Sequence, residues 1–180
     1  MGPIAELADQ ELVWQQPAAR RRQHELKAGD EVVGTLDFQR GTLATATAAD
    51  GSWTFKRQGF WHPRVTARIA GSEEDIALFR PHWSGGGQLD LRDGGTYRLA
   101  SANLWQSQWV WLPETSDQPL VRFKGRPGLI KASAAVEITS EAAQSPAVPL
   151  LVLLGWYLIL LYAEDAAVAS TAAIVPAISS

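Results

Sequence analysis

The chain contains no cysteine. Disulfides, thiolate nucleophiles and cysteine-ligated zinc are therefore excluded together. Histidine is scarce as well: His24, His62 and His82 are the whole supply, and none stands in an H-E-x-x-H or comparable ligand spacing, so no metal is expected. A G-x-S-x-G turn and an acidic D-x-[DN]-x-[DN]-G loop are both absent, and the triglycine Gly85-Gly86-Gly87 lacks the Lys-Ser/Thr of a phosphate cradle. No catalytic residue and no cofactor are assigned from the sequence. Basic charge is in short supply too. Lys+Arg number 16 against 19 Asp+Glu, giving a net charge of −3, so the basic footprint of a general nucleic-acid binder is missing and nucleic acid is not an expected partner. After Lys131 there is no cation at all, only Glu137, Glu141, Glu164 and Asp165. Residues 1–19 show no basic stretch followed by an apolar one, so no secretory leader is read, and the expected location is cytoplasmic, at most at the periphery of a membrane.

What the chain does have is tryptophan, eight residues in 180. Each ring can bury ~150–250 Å² while its N–H still asks for a partner. The rings are expected to build a core, with an exposed aromatic belt as the competing reading. From Leu12 to Thr139 the pattern is one of short β-branched and aromatic segments divided by turn signals such as Ala28-Gly29-Asp30, Asp50-Gly51 and Asp93-Gly94-Gly95. That spacing predicts a β-meander closing into a sandwich or barrel. About a dozen strands are read, from Leu12–Gln16 through Leu129–Ile138. Alternation assigns their faces: Val121 and Phe123 should point inward and Arg122 and Lys124 outward, and Trp53 and Phe55 inward across from Thr54 and Lys56.

The period then changes. From Val148 to Tyr162 no residue is charged, and a helix apolar on every side must be buried in protein or in lipid. The run would make a helix of about 22 Å, short of the ~20 residues a bilayer core asks for. It also lacks flanking cations, and its Trp156 and Tyr157 lie in the middle, not at the two ends. The favoured reading is a helix held inside the barrel, over residues 146–165, with residues 166–180 as a tail that frays or adds a last strand. A tail-anchored protein with a transmembrane helix is the alternative.

A closed antiparallel barrel of about 12 strands enclosing a hydrophobic C-terminal helix, over residues 1–180 as one domain with strands in 1–140, resembles the plan of the Tubby C-terminal-like superfamily. That group includes LURP-one-related proteins and phospholipid scramblases. The resemblance rests on the order of parts, on Gly51-Ser52-Trp53-Thr54-Phe55-Lys56-Arg57, on Gly85-Gly86-Gly87-Gln88-Leu89-Asp90-Leu91, on Asp93-Gly94-Gly95-Thr96-Tyr97, and on the terminal run ending Gly155-Trp156-Tyr157-Leu158. It looks most like a bacterial branch. The resemblance implies the fold and makes proximity to membranes an expectation, but no phosphoinositide-binding pair or calcium loop carries over.

Functional expectations follow from charge. The clusters Arg20-Arg21-Arg22, Lys56-Arg57 and Arg122, Lys124, Arg126 could meet an anionic surface, each cation contributing ~1 kcal/mol near one. Lys56, Arg57, Arg122, Lys124 and Arg126 are therefore the candidate binding residues of a non-catalytic protein whose partner is an anionic phospholipid or another protein, associated with a membrane without spanning it. A hydrolase-like site using His82 and Ser84 is the competing enzymatic reading; it needs the two side chains to converge in a cleft.

Overall fold

The computed structural model describes residues 2–18, 22–103, 107–127 and 132–174. The turn signals at Ala28-Gly29-Asp30, Asp50-Gly51 and Asp93-Gly94-Gly95 each separate two strands, and the strands are β1 (Leu12–Gln15), β2 (Gln23–Ala28), β3 (Glu31–Arg40), β4 (Leu43–Ala48), β5 (Gly51–Gln58) and β6 (Arg64–Ile69), followed by β7 (Asp75–Pro81), β8 (Gly87–Leu91), β9 (Thr96–Ser101), β10 (Gln108–Pro113), β11 (Val121–Pro127) and β12 (Ala132–Ile138). Every strand pairs antiparallel with its neighbours in sequence, and β1 closes on β12. Closure leaves no free edge to recruit another chain. The fold is mainly β: a closed barrel of twelve strands with a single C-terminal helix, α1 (Val148–Ile174), mostly buried.

Because consecutive strands run up and down, their connections alternate between two ends of the barrel. The β2–β3, β4–β5, β6–β7, β8–β9 and β10–β11 turns share one end with the beginning of α1, which we call the entry end. After twelve strands the chain is back at that end, and α1 passes through the interior to the other. The β3–β4, β5–β6 and β7–β8 connections surround the point where it emerges, the exit end. By length and composition Val148–Ala172 could cross a membrane, with mean hydropathy 1.7; in the fold, Val148–Leu161 is enclosed by the barrel wall.

The wall is shaped for this occupant. Alternation delivers small side chains along β4 (Ala44, Ala46, Ala48) and β12 (Ala132, Ala134), and large ones at Trp14, Phe55, Phe79, Trp111 and Phe123, all buried. Val121 and Phe123 face inward as expected, and Phe55 is buried with Trp53 half-buried beside the core. Gly155 lies against Phe123 and Trp111, while the opposite side of the helix is bulky: Trp156 stacks on Trp14 with ring centres 5.9 Å apart, and Tyr157 on Phe38 at 5.4 Å. Two hydrogen bonds fix the helix along its axis. Trp111 Nε1 donates to the Leu151 carbonyl at 2.8 Å, and the Tyr157 hydroxyl to the Thr42 carbonyl at 2.6 Å. Burial pushes the Tyr157 hydroxyl up to about 12. Each enclosed Leu, Val or Ile contributes ~1.5–3 kcal/mol against exposure.

Three expectations are corrected. Residues 166–174 are neither frayed nor a strand: α1 continues unbroken to Ile174, because Ala-rich sequence favours helix and the next proline is Pro176. The enclosed part ends earlier than residue 165, since every residue from Glu164 to Ala172 is exposed. The strand expected over Pro119–Lys124, with a turn at Gly125-Arg126-Pro127-Gly128, is shifted: β11 begins at Val121 and runs on through Gly125 and Arg126 to Pro127, because Ala134, Ser133 and Ala132 of β12 pair with them, while Leu129–Lys131 lie outside the described residues.

Candidate functional site

The five cations singled out from the sequence do not converge. Lys56 and Arg57 are on β5 and Arg122, Lys124 and Arg126 on β11, which stand opposite each other in the circular strand order. Arg122 and Lys124 both reach Glu137 on β12, at 3.3 and 3.0 Å, and these bonds, that of Lys124 first, hold the Glu137 carboxyl below its usual range. Arg126 is placed by its backbone, opposite Ser133, and its side chain lies outside the described residues, as do Arg20 and Arg21. Arg57 donates to Asp165 at 2.7 Å. Lys56 is exposed and has no carboxylate partner among the described residues.

What the fold does assemble is the exit rim. Among the described residues, five large apolar side chains are exposed, and four of them belong to this end: Phe60 (89%), Trp61 (85%), Trp83 (103%) and Val168. The β5–β6 loop that carries Phe60 and Trp61 begins at Gly59, with φ +84°, where a Cβ would stand 2.5 Å from the His62 carbonyl oxygen. Only glycine closes that turn. The β7–β8 loop carrying Trp83 ends on Gly85 and Gly86, both at positive φ; a side chain at Gly86 would strike the Leu99 carbonyl of β9. The triglycine is thus a wide turn, as its missing Lys-Ser/Thr implies. The Tyr162 hydroxyl, its pKa raised by burial, donates to the Gly86 carbonyl at 2.7 Å, fastening this loop to the helix.

Between the two loops lies an open cleft of about 900 Å³. Its floor is the parallel pair Trp109 and Tyr162, 5.2 Å apart, and Trp61, Trp83, Arg64 and Arg80 stand at its sides. Arg80 is bonded to Asp90. His82 and Ser84 both line the cleft, so the convergence that the enzymatic reading requires is met only in part: neither side chain bonds the other or a carboxylate among the described residues, and the nearby Asp165 is engaged by Arg57. A nucleophile without an adjacent base and an orienting group is not activated.

Charge is sorted along the barrel axis. Asp30, Asp50, Glu73, Glu74, Asp93, Glu114 and Asp117 are all in entry-end turns, and Glu31 opens β3 at the same end. The described cations on the body and entry end are paired, among them Arg68 with Asp75 at 2.5 Å, Arg92 with Glu74 at 2.6 Å and Arg98 with Asp117 at 3.2 Å. Those without a carboxylate partner, Arg40, Lys56 and Arg64, cluster toward the exit end. The acids that do lie there, Glu164 and Asp165, are neutralised by Arg22 at 2.6 Å and Arg57 at 2.7 Å.

A polar spot of another kind is in the core. His24 is buried and faces Trp156 edge-on at 5.9 Å; burial first, then the Arg22 charge, lowers its pKa to about 4. Its Nδ1 and the indole nitrogens of Trp14 and Trp156 have no hydrogen-bond partner among the described residues.

The sequence reading missed the rim because Phe60, Trp61 and Trp83 each sit in a loop, where nothing local marks them as neighbours. Sorting the loops by parity would have found them, since alternate connections of an up-and-down barrel share an end. Fold and rim together define a helix-plugged β-barrel with one acidic and one basic, aromatic end. No family model, curated protein or solved structure matches the chain.

Proposed function

We propose that this is a non-catalytic protein that docks its exit rim on an anionic lipid surface. The observation that carries the reading is the coincidence, on one end only, of exposed Phe60, Trp61 and Trp83 with Arg40, Lys56 and Arg64, none of which has a carboxylate partner among the described residues. Aromatic rings settle at the headgroup level of a bilayer, and unpaired cations are drawn to anionic lipid at ~1 kcal/mol each. The acidic entry end faces away, so repulsion from the same surface helps to set the orientation. The order of parts shared with the Tubby C-terminal-like superfamily belongs to this proposal, as does a peripheral location on the cytoplasmic side of a membrane.

Sedimentation with vesicles tests it. The protein should pellet with vesicles of equal phosphatidylglycerol and phosphatidylcholine at low salt, and much less with phosphatidylcholine alone. The double variant Trp61→Ala, Trp83→Ala and the double variant Lys56→Glu, Arg64→Glu should each lose most of that binding with no change in thermal midpoint. Lys124→Ala, on the opposite wall and held by Glu137, should bind like the parent. Equal retention on neutral and anionic vesicles, or full binding by both rim variants, would end the proposal.

A further inference from the structure

The same helix that fills the barrel leaves it with no other element to rest on. From Glu164 to Ala172 all residues are exposed, so no side of the emergent segment lies on the protein, and after Asp165 it carries no charge through Ile174. Ala166–Ile174 is roughly 13 Å long at ~1.5 Å per residue, close to half of a ~30 Å hydrocarbon core. Its two hydroxyls are already satisfied from within: Ser170 Oγ donates to the Ala166 carbonyl at 2.9 Å and Thr171 Oγ1 to the Ala167 carbonyl at 3.0 Å. Hydroxyls bonded to their own helix place little demand on water, and apart from the carbonyls of its last turn a helix meets the backbone requirement of lipid by itself. The acids at its root are paired, Glu164 with Arg22 and Asp165 with Arg57, at the level of the aromatic rim.

We infer that Ala166–Ile174 enters the near leaflet when the rim docks, so that one continuous helix is solvated by the barrel wall over its first part and by lipid over its last. The inference rests on the rim-docking reading and deepens it, turning surface adsorption into shallow insertion. Rooted by Trp111, Tyr157 and the stacked aromatics, the segment cannot fold back onto the rim, so docking drives it into whatever lies beneath. Lipid is the occupant chosen over a second copy of the chain because the segment's surround is cationic and aromatic, the chemistry of a headgroup layer.

The absence of cysteine allows a clean probe. Full-length Val168→Cys, labelled with an environment-sensitive nitrobenzoxadiazole, is mixed with vesicles of equal phosphatidylglycerol and phosphatidylcholine, with and without nitroxide on the acyl chains, while indole emission from the rim is followed in the unlabelled protein. The expected result is a blue shift of the label and its quenching by acyl-chain nitroxide, with no change for a label at Lys27→Cys at the entry end. A second variant, Val168→Gln, Ala172→Gln, should still bind at low salt but lose the fraction that resists a 1 M salt wash. A label that stays water-like and unquenched while the indoles report docking overturns the insertion and leaves the docking proposal standing. No change in label or indoles overturns both. A blue-shifted label in lipid-free solution that is dispersed by dilution would show a second copy as the occupant and equally overturn it.

Discussion

Gly155→Ala tests whether the helix is enclosed as described. A Cβ at this position would stand 2.5 and 2.7 Å from two atoms of the Phe123 ring and 2.6 Å from Trp111 Nε1. Both rings are buried, and Trp111 is held by its bond to the Leu151 carbonyl, so neither can step aside freely. Overpacking of a filled core costs about 1–3 kcal/mol, and pulling Trp111 off its acceptor adds about 1–3 kcal/mol for a buried polar group left alone. Against this, alanine is favoured over glycine in a helix by ~1 kcal/mol. The balance is a loss of roughly 3 kcal/mol, or about 6–12 °C in thermal midpoint for a chain of this size. Urea unfolding followed by tryptophan fluorescence, with calorimetry alongside, reads it directly. A variant as stable as the parent or more so would refute the reasoning, because that is what a helical position facing water or lipid gives when propensity alone operates.

Three further outcomes are expected. His24 has a folded-state pKa of about 4 against an ordinary value of 6.5, so its contribution to stability is complete above pH 6.5 and is lost as the pH falls toward 4; by linkage the loss at pH 4.5 is on the order of 2–3 kcal/mol. Urea titrations at pH 7 and 4.5 should show His24→Leu losing less on acidification than the parent by about that amount, and parallel losses would count against a buried neutral imidazole. A chain ending before Val148 should be unfolded or aggregated by circular dichroism, since the enclosed aliphatic side chains together outweigh the 5–15 kcal/mol of a typical domain; a soluble, cooperatively melting barrel would contradict the core role of α1. Arg57→Ala removes a bridge whose two partners are 30% and 53% exposed, so its unfolding free energy should fall by no more than about 1 kcal/mol, and a larger drop by urea titration would mean the pair does more than neutralise Asp165.

Strands and turns were legible in the sequence because each depends on a few neighbouring residues: the alternation of Val121 and Phe123 with Arg122 and Lys124, or the Asp50-Gly51 turn, states its own geometry. The enclosed helix was legible from the charge-free run and its shortness. The helix end was not, since nothing in Ala166–Ile174 distinguishes a frayed tail from a projecting helix until the barrel end is located. That the candidate cations stand on two opposite walls was hidden for a related reason. Arg122 and Lys124 look like a basic patch along one strand, yet the neighbouring strand supplies Glu137 to cancel it, and which acid stands opposite which base depends on register. His24 escaped notice because its two-residue step from Leu26, which puts both on the inner face, is weaker than the basic run just before it.

The threading of α1 through the barrel has a consequence for biosynthesis. The helix around which all twelve strands must close follows them in the chain, so every strand is made before its inner face has anything to cover it. Pairings such as Leu12 with Val136 join distant parts of the chain, and contacts of that separation form slowly. Until Val148–Leu161 arrives, a nascent sheet lined with Trp14, Phe55, Phe79 and Trp111 stands open, the sort of surface that chaperones shield. Closure and filling of the barrel are then one cooperative event, triggered by the arrival of α1.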